Sequence, residues 1–259
     1  KPAPVDVDAG GLKQLPPKPD STSDGLTTVN LCDVIIQGTK PIEAPLITRD
    51  EYRKGLQQYE ESESIECPLD RRPTIEQCSA FLYQLAKRNT TYCDFAILVP
   101  HGDRALMRRH FTARVLNSAG EYQLMEVYGP TSFKEWLACY RVWDSMCIMF
   151  RTIAGGPTRV YSELIGEFDS RYPDSWGLIY QTDVRTRSEH PMRVLDKLTT
   201  LHAQALVTNA LSTFEPERPW NSVWKALALG EQEWWMKELR LPGIEILARD
   251  VHHQISLVV

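Results

Sequence analysis

His101-Gly102-Asp103 sets an imidazole and a carboxylate two residues apart, the residue types of a general base and the acid that orients it. At that spacing in a turn, the aspartate suits capping of a neighbouring amide better than catalysis. His110 and His190 each stand among arginines, with no thiol or hydroxyl that the sequence identifies as a partner. His202 lies on an apolar helical stripe and reads as a partly buried, hydrogen-bonded histidine. His252-His253 are adjacent, so their rings diverge on any regular element and the pair is a tail feature rather than a metal site. The six cysteines, Cys32, Cys67, Cys78, Cys93, Cys139 and Cys147, show no C-x-x-C spacing. They read as reduced thiols of an intracellular protein, cytoplasmic or nuclear. Cys139 and Cys147 serve as small hydrophobes within an apolar helix. No metal and no cofactor is expected.

Gly155-Gly156-Pro157-Thr158 has the glycines of a phosphate loop but lacks its Lys-Ser/Thr ending and follows a helix, not a strand. Two basic clusters are candidates for phosphate contact. The first is Arg104, Arg108, Arg109, His110 and Arg114, which has no evident acidic neighbour at helical spacing. The second, Arg185, Arg187, His190, Arg193 and Lys197, includes Asp183–Arg187 and Arg185–Glu189 at i,i+4. It is expected to neutralise itself as a salt-bridged surface. Nucleic-acid binding therefore falls to Arg104, Arg108, Arg109 and Arg114. The seven tryptophans mostly sit at core spacing, which does not indicate base stacking.

These residues are carried by a mainly helical chain. Thr48-Arg49-Asp50-Glu51 fits a capping box opening a helix to about Ser62. A second helix is expected from near Asp70, with Pro73 in its first turn and the stripe Ile75, Cys78, Phe81, Leu82, Leu85. Phe95 to Pro100 reads as a buried strand or extended segment. Residues 111–116 and 121–128 alternate around Asn117-Ser118-Ala119-Gly120, a β-hairpin and the only sheet expected. Ser132 and Glu135 form another capping box before a helix apolar on nearly every side, hence central. Gly155-Gly156-Pro157 ends that helix, and Asp174 caps the one bearing Trp176. Pro191 breaks or bends the chain before a long helix with Met192, Leu195, Leu198, His202 and Leu206. Two shorter helices follow, and Pro242 separates a final apolar piece.

The hydrophobic fraction of 42% and charged fraction of 24% are those of an ordinary globular protein. A net charge of −5 exerts no general pull on nucleic acid or acidic membranes. No apolar run approaches eighteen residues, so no membrane partner is expected. The chain begins at Lys1 with no apolar signal region, which points to a processed chain or a piece of a longer one. Residues 1–47, rich in Pro, Ser and Asp, read as a disordered or extended tail. Residues 48–259 read as one helical globular domain.

Several phrases carry a resemblance. Gly129-Pro130-Thr131-Ser132-Phe133-Lys134-Glu135-Trp136 with Arg141-Val142-Trp143, the run Trp176 to Glu189, Arg218-Pro219-Trp220-Asn221-Ser222-Val223, and Trp234 to Pro242 resemble, in order, anonymous and highly multiplied dinoflagellate proteins. The likeness covers roughly residues 73–247. It implies a retroelement-associated, capsid-like or nucleic-acid-handling helical module. The Cys/His-rich knuckle carried by some such proteins has no counterpart up to Val259, which counts against nucleic-acid binding. The family supplies no catalytic residues.

The expected fold is thus mainly α (α+β), a multi-helix globular domain with one small β-hairpin. The expected function is a structural or interaction module: a capsid-like assembly or a nucleic-acid-associated domain of a mobile element, with a homo-oligomer as its partner state and weak nucleic-acid binding. The alternative is an enzyme, a hydrolase or transferase, with its site near His101 and Asp103.

Overall fold

In the computed structural model the described residues are 28–30, 43–88, 90–95, 98, 110–116 and 121–246. Helix α1, Arg49–Glu63, starts where the sequence places it. The Thr48 hydroxyl accepts from the Glu51 amide, and the Glu51 carboxylate accepts from the Thr48 amide at 2.7 Å. Both orphan amides of the first turn are thereby satisfied. Helix α2, Ile75–Arg88, begins five residues later than the expected Asp70. Its cap is Thr74, whose amide donates to Gln77 Oε1 and whose hydroxyl accepts from the Gln77 amide. Pro73 therefore precedes the helix.

Strands β3, His110–Leu116, and β4, Tyr122–Tyr128, form the expected hairpin, with Phe111 opposite Val127. These two sit on the inner face and are half-buried, with Phe111 against Tyr180. Leu124 and Tyr128 alternate outward into solvent. A second antiparallel pair, β1 (Thr28–Asn30) with β2 (Glu43–Pro45), falls within the segment read as a tail. Just beyond it the Ile47 amide donates to Ser79 Oγ of α2. A sheet is thus also made where no alternating pattern announced one, because two separated three-residue pieces supply it.

Helix α3, Phe133–Met149, is the central element. Ten of its residues are buried, among them Trp136, Tyr140, Trp143 and Cys147. Ser132 accepts from the Glu135 amide, but Glu135 reaches back one residue further than a capping box requires, to the amide and hydroxyl of Thr131. Gly155-Gly156-Pro157 opens the next helix, α4 (Gly155–Arg171), rather than ending α3, which stops at Met149. Proline costs nothing there, since first-turn amides have no intrahelical acceptor. Helix α5, Trp176–Ser188, has Ser175 and not Asp174 at its N-cap position, Asp174 taking a left-handed φ of 62°. Helix α6, His190–Thr208, follows after one residue with Pro191 in its first turn. Helix α7 spans Pro219–Leu229 and α8 Gln232–Trp235.

The chain after α8 stays helical through a π turn, Met236–Arg240, and residues 241–246, so Pro242 does not interrupt it. Pro242 has no N–H for the Glu238 carbonyl four residues back. Thr182 Oγ1 donates to that carbonyl at 3.1 Å. The proline is tolerated inside a helix because a neighbouring helix offers the donor it lacks.

The core is aromatic and continuous. Trp136 stacks on Tyr140 with centroids 4.6 Å apart, Trp143 meets Trp224 at 4.7 Å, and Tyr161 meets Trp224 at 5.0 Å. Residues 90–95 are not helical and yet run through it, with Thr91, Cys93 and Phe95 buried. Their polar groups find side-chain donors: Trp143 Nε1 donates to the Thr91 carbonyl, Trp224 Nε1 to Thr91 Oγ1, and Arg187 to the Cys93 carbonyl. Buried irregular backbone persists only when such partners exist.

Gly129, between the hairpin and α3, has φ +141°, and a β-carbon there would strike the Tyr180 ring and hydroxyl. Gly129→Ala is expected to destabilise the protein by about 1–3 kcal/mol from backbone strain alone, with the collision added. A chemical-denaturation midpoint equal to wild type would show that the hairpin can lift off α5 without loss.

Candidate functional site

Of the residues proposed for nucleic acid, Arg104, Arg108 and Arg109 lie outside the described residues, as do His101 and Asp103 of the enzyme alternative. Arg114 stands on β3 opposite Leu124, and His110 opposite Tyr128. His252 and His253 also lie outside. Among the described residues no cluster of three or more His, Cys, Asp or Glu side chains is arranged to hold a metal ion. No helix among them is long and apolar enough to cross a membrane.

The second basic cluster is salt-bridged as its spacing suggested, with Arg193 and Lys197 at the surface, but its central pair is not at the surface. Asp183 and Arg187 are paired at i,i+4, but both are essentially inaccessible, at 0% and 1% exposure. Arg187 Nε and Nη2 donate to the Asp183 carboxylate at 3.0 and 2.8 Å. Trp136 Nε1 and Tyr161 Oη donate to the same carboxylate, each at 2.9 Å. The guanidinium lies 3.6 Å over the Phe95 ring. Burial opposes the charge on Arg187, yet Asp183 beside it holds its pKa above the ordinary arginine value. Every strong donor and acceptor of the pair is spent inside the protein, so it organises the core and offers nothing to a ligand. Arg185 is engaged too, bonded to Glu238 and 3.9 Å from Glu189.

His190 and His202 are engaged as well, although His190 Nδ1 is enclosed without a hydrogen-bond partner. His190 is buried, stacks on Trp234 at 4.0 Å and lies 3.3 Å from Glu231. Burial pushes its pKa below the ordinary histidine value, with Glu231 opposing in part. His202 Nδ1 meets Ser212 Oγ at 2.8 Å, the contact of a nucleophile and its base. The Ser212 hydroxyl also accepts from the Phe214 amide, and the imidazole packs on Phe214. Among the described residues no carboxylate bonds its other nitrogen, so the pair lacks the group that orients a base and reads as a turn fastening.

Among the described residues two features stand out as open to solvent or ligand. The first is the outer part of α6. Its first turn is anchored by buried His190, Pro191 and Val194. From Thr199 to Leu211 no residue is buried; Leu201, Leu206, Val207 and Leu211 are exposed, Val207 at 86%. Leu198 through Phe214 contains no Asp, Glu, Lys or Arg. That charge-free run is visible in the sequence, but the helical stripe within it reads as core until the helix is seen to outrun its neighbours.

The second is a cleft of about 560 Å³ between α1, α3 and α4. Phe133, Leu137 and Tyr140 give it an apolar wall, while Glu63, Arg71, Arg141, Asp144, Arg159 and Glu163 bring charge. Glu63 lies beside Gly155 at the start of α4. Asp144 is only partly buried, but its Oδ1 is enclosed without a hydrogen-bond partner, and so is Arg71 Nε. Desolvation pushes the Asp144 carboxyl up to about 6, with Glu63 adding to the rise and Thr158, Arg71 and Arg159 opposing it. Four separate segments supply these residues, so no local motif signalled them. The one hint is a carboxylate inside the central helix, apolar on nearly every side.

No known protein family, characterised protein or solved structure matches this chain.

Proposed function

We propose that the chain is an assembly module that self-associates through the outer part of α6. One observation carries this reading: a helix end that leaves the core and presents Leu201, Leu206 and Val207, with Leu211 just beyond it, on a stretch without any charged side chain. Apolar area left in water is free energy recoverable on association. A second copy is a fitting partner because a charge-free segment meets its own twofold mate with no like-charge repulsion. The resemblance to retroelement-associated proteins is in keeping with a capsid-like assembly role.

Leu206→Asp and Val207→Asp test it, since both side chains are exposed and their replacement should leave the thermal midpoint nearly unchanged. Wild type is expected to gain mass with concentration in sedimentation equilibrium, and either variant to remain a monomer. A wild-type protein monomeric at every attainable concentration, or variants that associate as wild type does, would sink the proposal.

A further inference from the structure

Where opposite charges come together elsewhere on the surface, pairs form, among them Arg53 with Asp50, Arg72 with Glu66, Arg151 with Glu61, Arg171 with Glu167 and Lys225 with Glu215. In the cleft between α1, α3 and α4 opposite charges converge on one space without pairing. Its three arginines and three carboxylates line one cavity, and none of the six forms an ion pair with another described residue. Arginine and carboxylate that share a cavity without touching leave both signs of charge to be met by whatever fills the space. The enclosed Arg71 Nε and Asp144 Oδ1 add polar atoms whose bonds the protein does not complete. A volume of about 560 Å³ is that of a small-molecule site, and Phe133, Leu137 and Tyr140 supply the apolar wall such sites use.

From this geometry we infer that the cleft binds a small zwitterion with an apolar substituent, its carboxylate held by Arg71 and Arg159 and its ammonium by Asp144 and Glu63. Three positive and three negative side chains suit a ligand that carries one charge of each sign. A simple anion meets the carboxylates as well as the arginines, and a simple cation meets the reverse. The aromatic wall selects among zwitterions for an apolar side group. The site is separate from α6, so it neither needs nor supports the assembly reading.

Binding should also depend on pH in a defined direction. The groups facing Asp144 are Glu63 and Tyr59 from α1, Arg71 from the following loop, Arg141 from α3 itself, and Arg159 and Glu163 from α4. With the Asp144 carboxyl pushed up to about 6, the carboxylate that meets an ammonium is present above that pH and is lost as the pH falls through it.

The test uses the full chain with three probes in calorimetry or saturation-transfer NMR: L-phenylalanine, 3-phenylpropanoate and 2-phenylethylamine. L-phenylalanine is expected to bind, and each probe lacking one charge to bind about ten- to a hundredfold more weakly, the loss of one charged hydrogen bond. Arg159→Ala, at an exposed position, and Asp144→Asn should each cost a similar factor without shifting the thermal midpoint downward. Asp144→Asn should also flatten the fall in affinity below about pH 6. No binding of L-phenylalanine, equal binding of a singly charged probe, or wild-type affinity in the Arg159→Ala variant would each overturn the assignment.

Discussion

Arg187→Met is expected to destabilise the protein by about 3–5 kcal/mol, because it leaves the Asp183 carboxylate inside the core without its counter-charge. The two remaining donors to Asp183, Trp136 Nε1 and Tyr161 Oη, are neutral. Neither supplies the field that keeps a fully buried carboxylate ionised. The same change frees the Cys93 carbonyl, which accepts from Arg187 Nη1 at 2.9 Å, so the non-helical stretch at residues 90–95 loosens with it. The double variant Asp183→Asn with Arg187→Met should recover much of the loss. It removes the stranded charge and leaves an amide oxygen for Trp136 Nε1 and an amide N–H from which the Tyr161 hydroxyl can accept, since the two donors address different oxygens of Asp183. Denaturant midpoints of the four members of that cycle measure the coupling. A single Arg187→Met variant as stable as wild type would mean that the buried pair contributes nothing to the fold.

Trp136→Ala is the second large effect, also about 3–5 kcal/mol. The indole is wholly buried, stacks on Tyr140 at 4.6 Å and on Phe133 at 5.8 Å, and donates to Asp183. Its removal opens a cavity beside the first turn of α3 and takes one donor from the carboxylate. Trp136→Phe separates the two contributions, keeping most of the ring contact and losing only the N–H. Because Trp136 and Arg187 share Asp183, their combined loss should fall short of the sum of the separate ones. An unchanged midpoint for Trp136→Ala would place the stripe at the surface, against its burial.

The amino-acid sequence alone determined the elements whose signals are local. The Thr48–Glu51 box fixed the start of α1 because its two hydrogen bonds lie within one turn. The apolar residues on every side of α3 required a central helix, and the alternation around residues 117–120 required the hairpin, with His110–Leu116 and Tyr122–Tyr128 its strands. Where local preference allowed two outcomes, the packed structure chose. Gly155-Gly156-Pro157 is equally good at stopping one helix and starting another, and it starts α4. Pro242 lies in a helix because Thr182, sixty residues earlier in the chain, bonds the carbonyl that the proline cannot satisfy.

Outside α3, burial was left to the tertiary structure wherever the spacing fitted both core and surface. Asp183 and Arg187 have the spacing of a surface pair, and nothing at i,i+4 reveals that Trp136, Tyr161 and Phe95 close over them. The stripe of α6 has the spacing of core, and nothing in it reveals that the core reaches only as far as Leu198, leaving Leu206 in water with Val207 beside it. The cleft around Asp144 exists only because α1, α3 and α4 converge there. Helical periodicity specifies which side chains share a face. What that face meets depends on residues distant in the chain, and only the folded arrangement brings them together.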